Sequence, residues 1–173
     1  SIVVFAFYPL TAVMIIILAL LNDIPIMAIA YDNTKIEKQP VRWDMREILT
    51  VSIILGLAGV ISSFLLFYIL EEQQLPAALI QAMIFVKLDV AGHSTIYVTR
   101  TGKRHFWERP FPSLKIFSIA FTTRYLGHVI EVYGIYMDPV GWTHAVYIRI
   151  LYTAWFVLKD YLKVWIFNRF LLR

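Results

Sequence analysis

The sequence predicts an all-α membrane protein, a bundle of five transmembrane helices with the first interrupted near Asp23 and Pro25. Three observations predict it. Hydrophobic residues fill 60% of the 173 positions, against about 45–50% in soluble domains, and mean hydropathy is +0.68. Apolar runs of about 20 residues, each long enough to cross roughly 30 Å of hydrocarbon, occur five times. Lys and Arg gather in alternate connections between these runs, as the positive-inside rule requires.

The first span covers about 9–31. Its heart, VMIIILALLNDIPIMAIAYDN, carries Asn22, Asp23 and Pro25. A carboxylate deep in hydrocarbon costs about 2.5–3.5 kcal/mol on insertion scales. Pro25 has no N–H and its ring crowds the carbonyl four residues back, so a break or kink is expected beside Leu21. Backbone freed at that depth needs protein or a polar cavity around it. An acid beside a helix break is the usual chemistry of an ion or proton path. The plainer alternative is a carboxylate paired with a Lys or Arg to tie two helices.

The second span, 48–70, places Gly56, Gly59 and Ser63 on one stripe, where small residues admit a neighbouring helix. That is packing rather than chemistry. The third, 76–98, carries Gln81, Lys87, Asp89 and His93. Asp89 and His93 are four apart and share a face, while Lys87 lies on another side. The fourth, 114–137, aligns Arg124, His128 and Glu131. Asp138-Pro139-Val140-Gly141 reads as a tight turn. The fifth, 143–167, holds Arg149 inside and Asp160 with Lys163 near its end. Phe106, Trp107 and Trp165 read as boundary anchors, and Trp155 as an anchor or a core residue.

Orientation follows from the basic residues. Lys35, Lys38, Arg42 and Arg46 follow the first span, and Arg100, Lys103, Arg104 and Arg109 the third. Lys163, Arg169 and Arg173 close the chain, while 71–75 and 138–142 contain no Lys or Arg. The first, third and fifth spans are therefore expected to run from outside to cytoplasm, in the cell membrane, with a cytoplasmic C-terminus. No basic residue precedes Lys35, so no signal peptide is read, and a start at Ser1 inside apolar sequence suggests a C-terminal piece of a longer polypeptide. The chain has no cysteine, which excludes disulfides, thiolate catalysis and zinc–thiolate sites. A net charge of +4 confined to short loops makes no nucleic-acid patch, and no metal site is expected.

The intramembrane acids are Asp23, Asp89 and Glu131; the bases are Lys87, Arg124 and Arg149. Depth matches Glu131 with Arg149 and Asp89 with Arg124 as structural ties, since an unpaired buried charge is costly. Asp23 has no base in its own span, and Lys87 approaches it if the first and third spans pack together. His105 and His144 read as ordinary surface or interface residues.

Leu20-Leu21-Asn22-Asp23, then Ile26-Met27 and Asp32, resembles the sixth membrane helix of plasma-membrane-type proton-pumping P-type ATPases. Further similarities follow in family order: Val98-Thr99-Arg100 at the end of the eighth helix and Phe106-Trp107-Glu108-Arg109-Pro110 before the ninth. Val140-Gly141-Trp142 resembles the turn into the tenth, and Asp160 with Lys163 its end. The resemblance implies that residues 1–173 hold the sixth to tenth membrane helices, with Asp23 as proton carrier and Asn22 and Pro25 beside it. Ile24-Pro25 stands where many plant and fungal members have Gly-Thr, which looks closer to prokaryotic members. The implied partners are protons, the bilayer, and the N-terminal membrane helices and cytoplasmic domains of the full-length pump, which uses ATP and Mg2+. The chain carries no Asp-Lys-Thr-Gly-Thr or Thr-Gly-Glu-Ser motif, so it is not expected to hydrolyse ATP by itself. Two other classes fit the residues: a P-type ATPase for a different cation, and a non-catalytic membrane scaffold in which every buried charge is a tie.

Overall fold

A computed structural model describes residues 8–33 and 45–171. Lys35, Lys38, Arg42 and Arg173 lie outside them. Five helices make up the described chain: α1 (Ala12–Met27), α2 (Met45–Glu72), α3 (Ala77–Arg100), α4 (Leu114–Tyr133) and α5 (Gly141–Ile166). A 3₁₀ turn, Ala28–Tyr31, extends α1, and a π turn, Phe167–Leu171, extends α5. No strand occurs among the described residues, and the molecule is an all-α membrane bundle. Ala12–Tyr31, Ile48–Glu72 and Ala77–Arg100 are long and apolar enough to cross a membrane. The fourth and fifth helices, of 20 and 26 residues, are about 30 and 39 Å long.

α3 is the central helix. Thirteen of its residues are buried, against three in α1, and it touches all four other helices. α1 packs on α3 and α4, and α2 on α3 and α5. The outer face of α2 presents Ile53, Leu57, Ile61 and Leu65 outward, a composition suited to lipid rather than water.

Thr11 caps α1 by accepting a hydrogen bond from the Met14 N–H at 3.2 Å. The expected interruption differs in place and kind. α1 stays α-helical through Pro25 and tightens to 3₁₀ only from Ala28. A proline's fixed φ lies in the helical range, so its cost here is one hydrogen bond and local crowding, not a chain break. Ser113 caps α4, with its hydroxyl accepting from the Ile116 N–H at 3.3 Å. α4 ends at Tyr133 because Gly134 is left-handed, with φ of 71°. A side chain there would stand 2.7 Å from the Pro139 nitrogen, so the chain reverses closely at this point.

One end of the bundle is latched by residues far apart in sequence. Asp32, just beyond α1, accepts from Arg100 Nε at 2.8 Å and from the Ser113 N–H at 3.0 Å. Arg100 also donates to the Pro110 carbonyl at 3.1 Å. Lys163 donates to the carbonyls of Val98 (3.0 Å) and Arg104 (2.7 Å) and to the Thr101 hydroxyl (3.0 Å). It also pairs with Asp160 at 2.9 Å. His105, read from sequence as an ordinary surface residue, instead meets Asp160 through Nδ1 at 2.7 Å and stacks on Trp107. The ends of α1, α3 and α5 thus share one side of the bundle.

Burial works against ionisation of Asp32, but the hydrogen bond and charge of Arg100 and the Ser113 N–H outweigh it and hold this carboxyl below its ordinary range. A depressed carboxyl contributes stability that is complete above the unfolded pKa, near 3.9, and is lost as pH falls through the folded value. We therefore expect Asp32→Ala to lower stability by about 3 kcal/mol at neutral pH. Thermal unfolding of the detergent-solubilised protein checks this. The gap between wild type and variant should close as the pH falls below about 4, and a gap independent of pH refutes the assignment.

Candidate transport site and charged interior

The bilayer allows few charges inside it, and those present must be met by protein. α3 carries three titratable residues that are buried: Lys87, Asp89 and His93. Each is met by a different neighbour.

Lys87 turns toward α2. Its ammonium donates to the Gly59 carbonyl at 3.2 Å and to the Ser63 hydroxyl, and lies 5.6 Å from the centroid of the Tyr152 ring. The expected approach of Lys87 to Asp23 does not occur. The small residues of α2 leave room for an ammonium to reach backbone, so Gly59 and Ser63 hold Lys87 as well as packing. Tyr152 reinforces the junction through its hydroxyl, 3.2 Å from the Ser62 carbonyl.

Asp89 faces α4 and α5. An added Cβ at Gly127 would stand 3.1–3.2 Å from all three atoms of the Asp89 carboxylate, so the acid lies against the α4 backbone. His93 Nδ1 is 3.2 Å from Asp89 Oδ1, and Arg149 Nη2 is 3.9 Å from Asp89 Oδ2. Neither Asp89 oxygen is in hydrogen-bond geometry. The far nitrogen of His93 meets the Thr123 hydroxyl at 2.9 Å, which joins α3 to α4.

Arg149 is the hub of this interior. Its Nη2 donates to Glu131 Oε2 while standing near Asp89, so one guanidinium serves acids from two helices. The structure brings Glu131 and Arg149 together. It does not join Asp89 to Arg124: Arg124 donates no hydrogen bond to that carboxylate. Arg124 lies within electrostatic range of Asp89, Glu131 and Arg149, and lines a cavity of about 600 Å³ with Tyr97, Phe106, Trp107 and Phe117. Arg149, on the helix that packs most closely on α3, comes within ion-pair distance of Asp89, while Arg124 acts on that carboxylate at longer range.

Asp23 stands apart from this interior. The buried stripe of α1 is Met14, Leu21 and Pro25, continued by Ala28. Asp23 is two residues from both Leu21 and Pro25, about 200° round the helix, and is exposed on the outer face. Among the described residues it makes no ion pair or hydrogen bond. Asn22, expected beside it, is turned inward: Nδ2 donates to the Leu18 carbonyl at 3.0 Å, and Oδ1 is buried without a partner. No cluster of three or more His, Cys, Asp or Glu fit to hold a metal ion occurs among the described residues.

An α-helical bundle with apolar outer faces and charged groups held inside is an integral membrane protein. Comparison with known proteins gives the family. The chain is 46% identical over 97% of its length to the "Putative cation-transporting ATPase" of Methanocaldococcus jannaschii. It is 24% identical over 86% of its length to the "Probable plasma membrane ATPase" of Dictyostelium discoideum, and 26% identical over 77% to "Plasma membrane ATPase 1" of Saccharomyces cerevisiae. No protein-family model matches the chain. It spans only 21%, 17% and 14% of these relatives, about a fifth or less of each. The chain belongs to the P-type ATPases and is part of their membrane region.

Sequence reasoning missed the partners of Lys87 and the role of His105. The Asp160–Lys163 spacing of three was the available signal for the latch. The family-like segments holding Asp32, Val98, Arg100 and Pro110 marked other members without showing that they meet. If Arg149 is the hub, Arg149→Met should destabilise the protein by about 3 kcal/mol, because Glu131 is left buried without its partner. Adding Glu131→Leu should recover most of that loss. Melting temperatures of the two single variants and the double check it, and a double variant as unstable as the sum of the singles rejects the pairing.

Proposed function

We propose that the chain is the membrane part of an ATP-driven proton pump and that Asp23 is its intramembrane proton carrier. The observation that carries this reading is the position of Asp23. Every buried acid of the described interior stands near a base: Asp89 near His93 and Arg149, Glu131 by Arg149, Asp160 by Lys163. Asp23, on the exposed face of α1, has none among the described residues, and it lies beside Pro25. A carboxyl with no permanent counter-ion can take up and release a proton without breaking a structural tie.

On this reading other membrane helices of the pump cover the outer face of α1, because a lone carboxylate facing lipid is costly. Cytoplasmic domains supply ATP hydrolysis with Mg2+, and the pump sits in the cell membrane with its C-terminus in the cytoplasm. Moving one charge against about 150 mV requires roughly 3.5 kcal/mol. That equals a difference of roughly 300-fold in proton affinity between inward and outward states. Asp23, Asn22 and Pro25 are the residues of this chain placed to provide it.

A second reading has one observation in its favour. The M. jannaschii relative carries the name of a cation transporter without naming the cation. A dehydrated metal cation needs several oxygen ligands converging on it. α1 offers Asp23 alone, since Asn22 points the other way, and this supports a proton over a metal ion.

Asp23→Asn in the full-length pump, reconstituted in sealed vesicles, tests the assignment. We expect ATP-driven proton uptake to be abolished while the protein still inserts and folds. Normal uptake by that variant rejects Asp23 as carrier. ATP-driven uptake of Na+ or K+ at constant pH favours the metal-cation reading.

A further inference from the structure

The inward turn of Asn22 has a cause on the neighbouring helix. Gly92 of α3 faces it. A Cβ built on Gly92 would stand 2.1 Å from Asn22 Oδ1, 2.5 Å from Cγ and 2.7 Å from Nδ2. The whole carboxamide therefore occupies the space that any other residue at 92 would need. This is closer than real Cβ atoms come to their neighbours. With alanine at 92, either α1 must back away from α3, or Asn22 must change rotamer and give up its bond to the Leu18 carbonyl.

Packing alone does not explain an amide at this position. Asn22 Oδ1 is buried with no donor, which costs stability that a small apolar residue would not lose. An amide kept there against that cost points to a task beyond holding the helices together. Its neighbour in sequence is Asp23. The two side chains leave α1 about 100° apart. When Asn22 is seated at Gly92, Asp23 points about 100° away, onto the exposed face of α1 and clear of the amide. An Asn22 displaced from that seat releases this constraint on the rotation of α1, the helix that carries Asp23.

We propose that Gly92 is a positioning residue of the transport site: its missing side chain forms a seat for the Asn22 carboxamide, which fixes the rotation of α1 and keeps Asp23 unpartnered. This inference rests on Asp23 being the carrier. Gly92 touches no proton itself. It acts through Asn22, so its effect must depend on Asn22 being present.

A double-mutant cycle in the full-length reconstituted pump tests that dependence. The variants are Gly92→Ala, Asn22→Ala and the two together, and the readout is the pH of half-maximal ATP-driven proton uptake. We expect Gly92→Ala to move that pH by about half a unit or more, a roughly threefold change in apparent proton affinity. In the Asn22→Ala background the same change should leave the profile where Asn22→Ala alone puts it. An unmoved profile in Gly92→Ala, or an equal shift with and without Asn22, overturns the proposal. If Gly92→Ala does not reach the membrane, its level is compared with that of the double variant. Recovery in the double variant supports the seat, and loss in both rejects it. The cycle can fail while Asp23→Asn still abolishes pumping, which removes the seat and leaves the carrier. Normal pumping by Asp23→Asn removes the carrier and, with it, the positioning role.

Discussion

The structure depends on one constraint: a charge placed in hydrocarbon must be satisfied by protein. α3 meets it from the centre of the bundle. Lys87 looks to α2, Asp89 to α4 and α5, and His93 to α4. The partners together lie on α2, α4 and α5, so the charges of one helix fix the positions of three others. An apolar helix could slide or rotate against its neighbours with little change in energy, because lipid tails and leucine side chains are equally apolar. Charge matching makes the arrangement directional.

The same economy of partners appears at the end where α1, α3 and α5 meet. Arg100 and Ser113 converge on Asp32, while Val98, Thr101 and Arg104 converge on Lys163. Many of these residues carry the resemblance to proton-pumping P-type ATPases: Asp32, Arg100, Pro110, Asp160 and Lys163. Scattered over more than 130 positions, they make two adjacent knots that tie the α3–α4 connection to the helix ends. The motif order noticed in one dimension is thus the trace of a three-dimensional latch.

Against these groups, each of which stands near a partner, Asp23 is the exception among the described residues. It sits on the helix with the fewest buried residues and faces away from the bundle. The carrier role proposed for Asp23 needs a group that can change partners, which one locked within this five-helix unit could not do. The interior acids lend rigidity, whereas Asp23 is left available.

By itself the sequence determined the all-α membrane class and the five helices. Hydropathy and helical period act locally along the chain, so they can be read without coordinates. Glu131 and Arg149 were also legible as a pair, since a short reversal at Gly134 brings the two helices side by side at matching depth. Only the tertiary structure decided that Arg149 rather than Arg124 stands by Asp89, that Lys87 serves α2, and that Asn22 is seated on Gly92. Those choices depend on how each helix is rotated about its axis. Rotation is set by contacts between distant residues, and a difference of one position, about 100°, exchanges one partner for another.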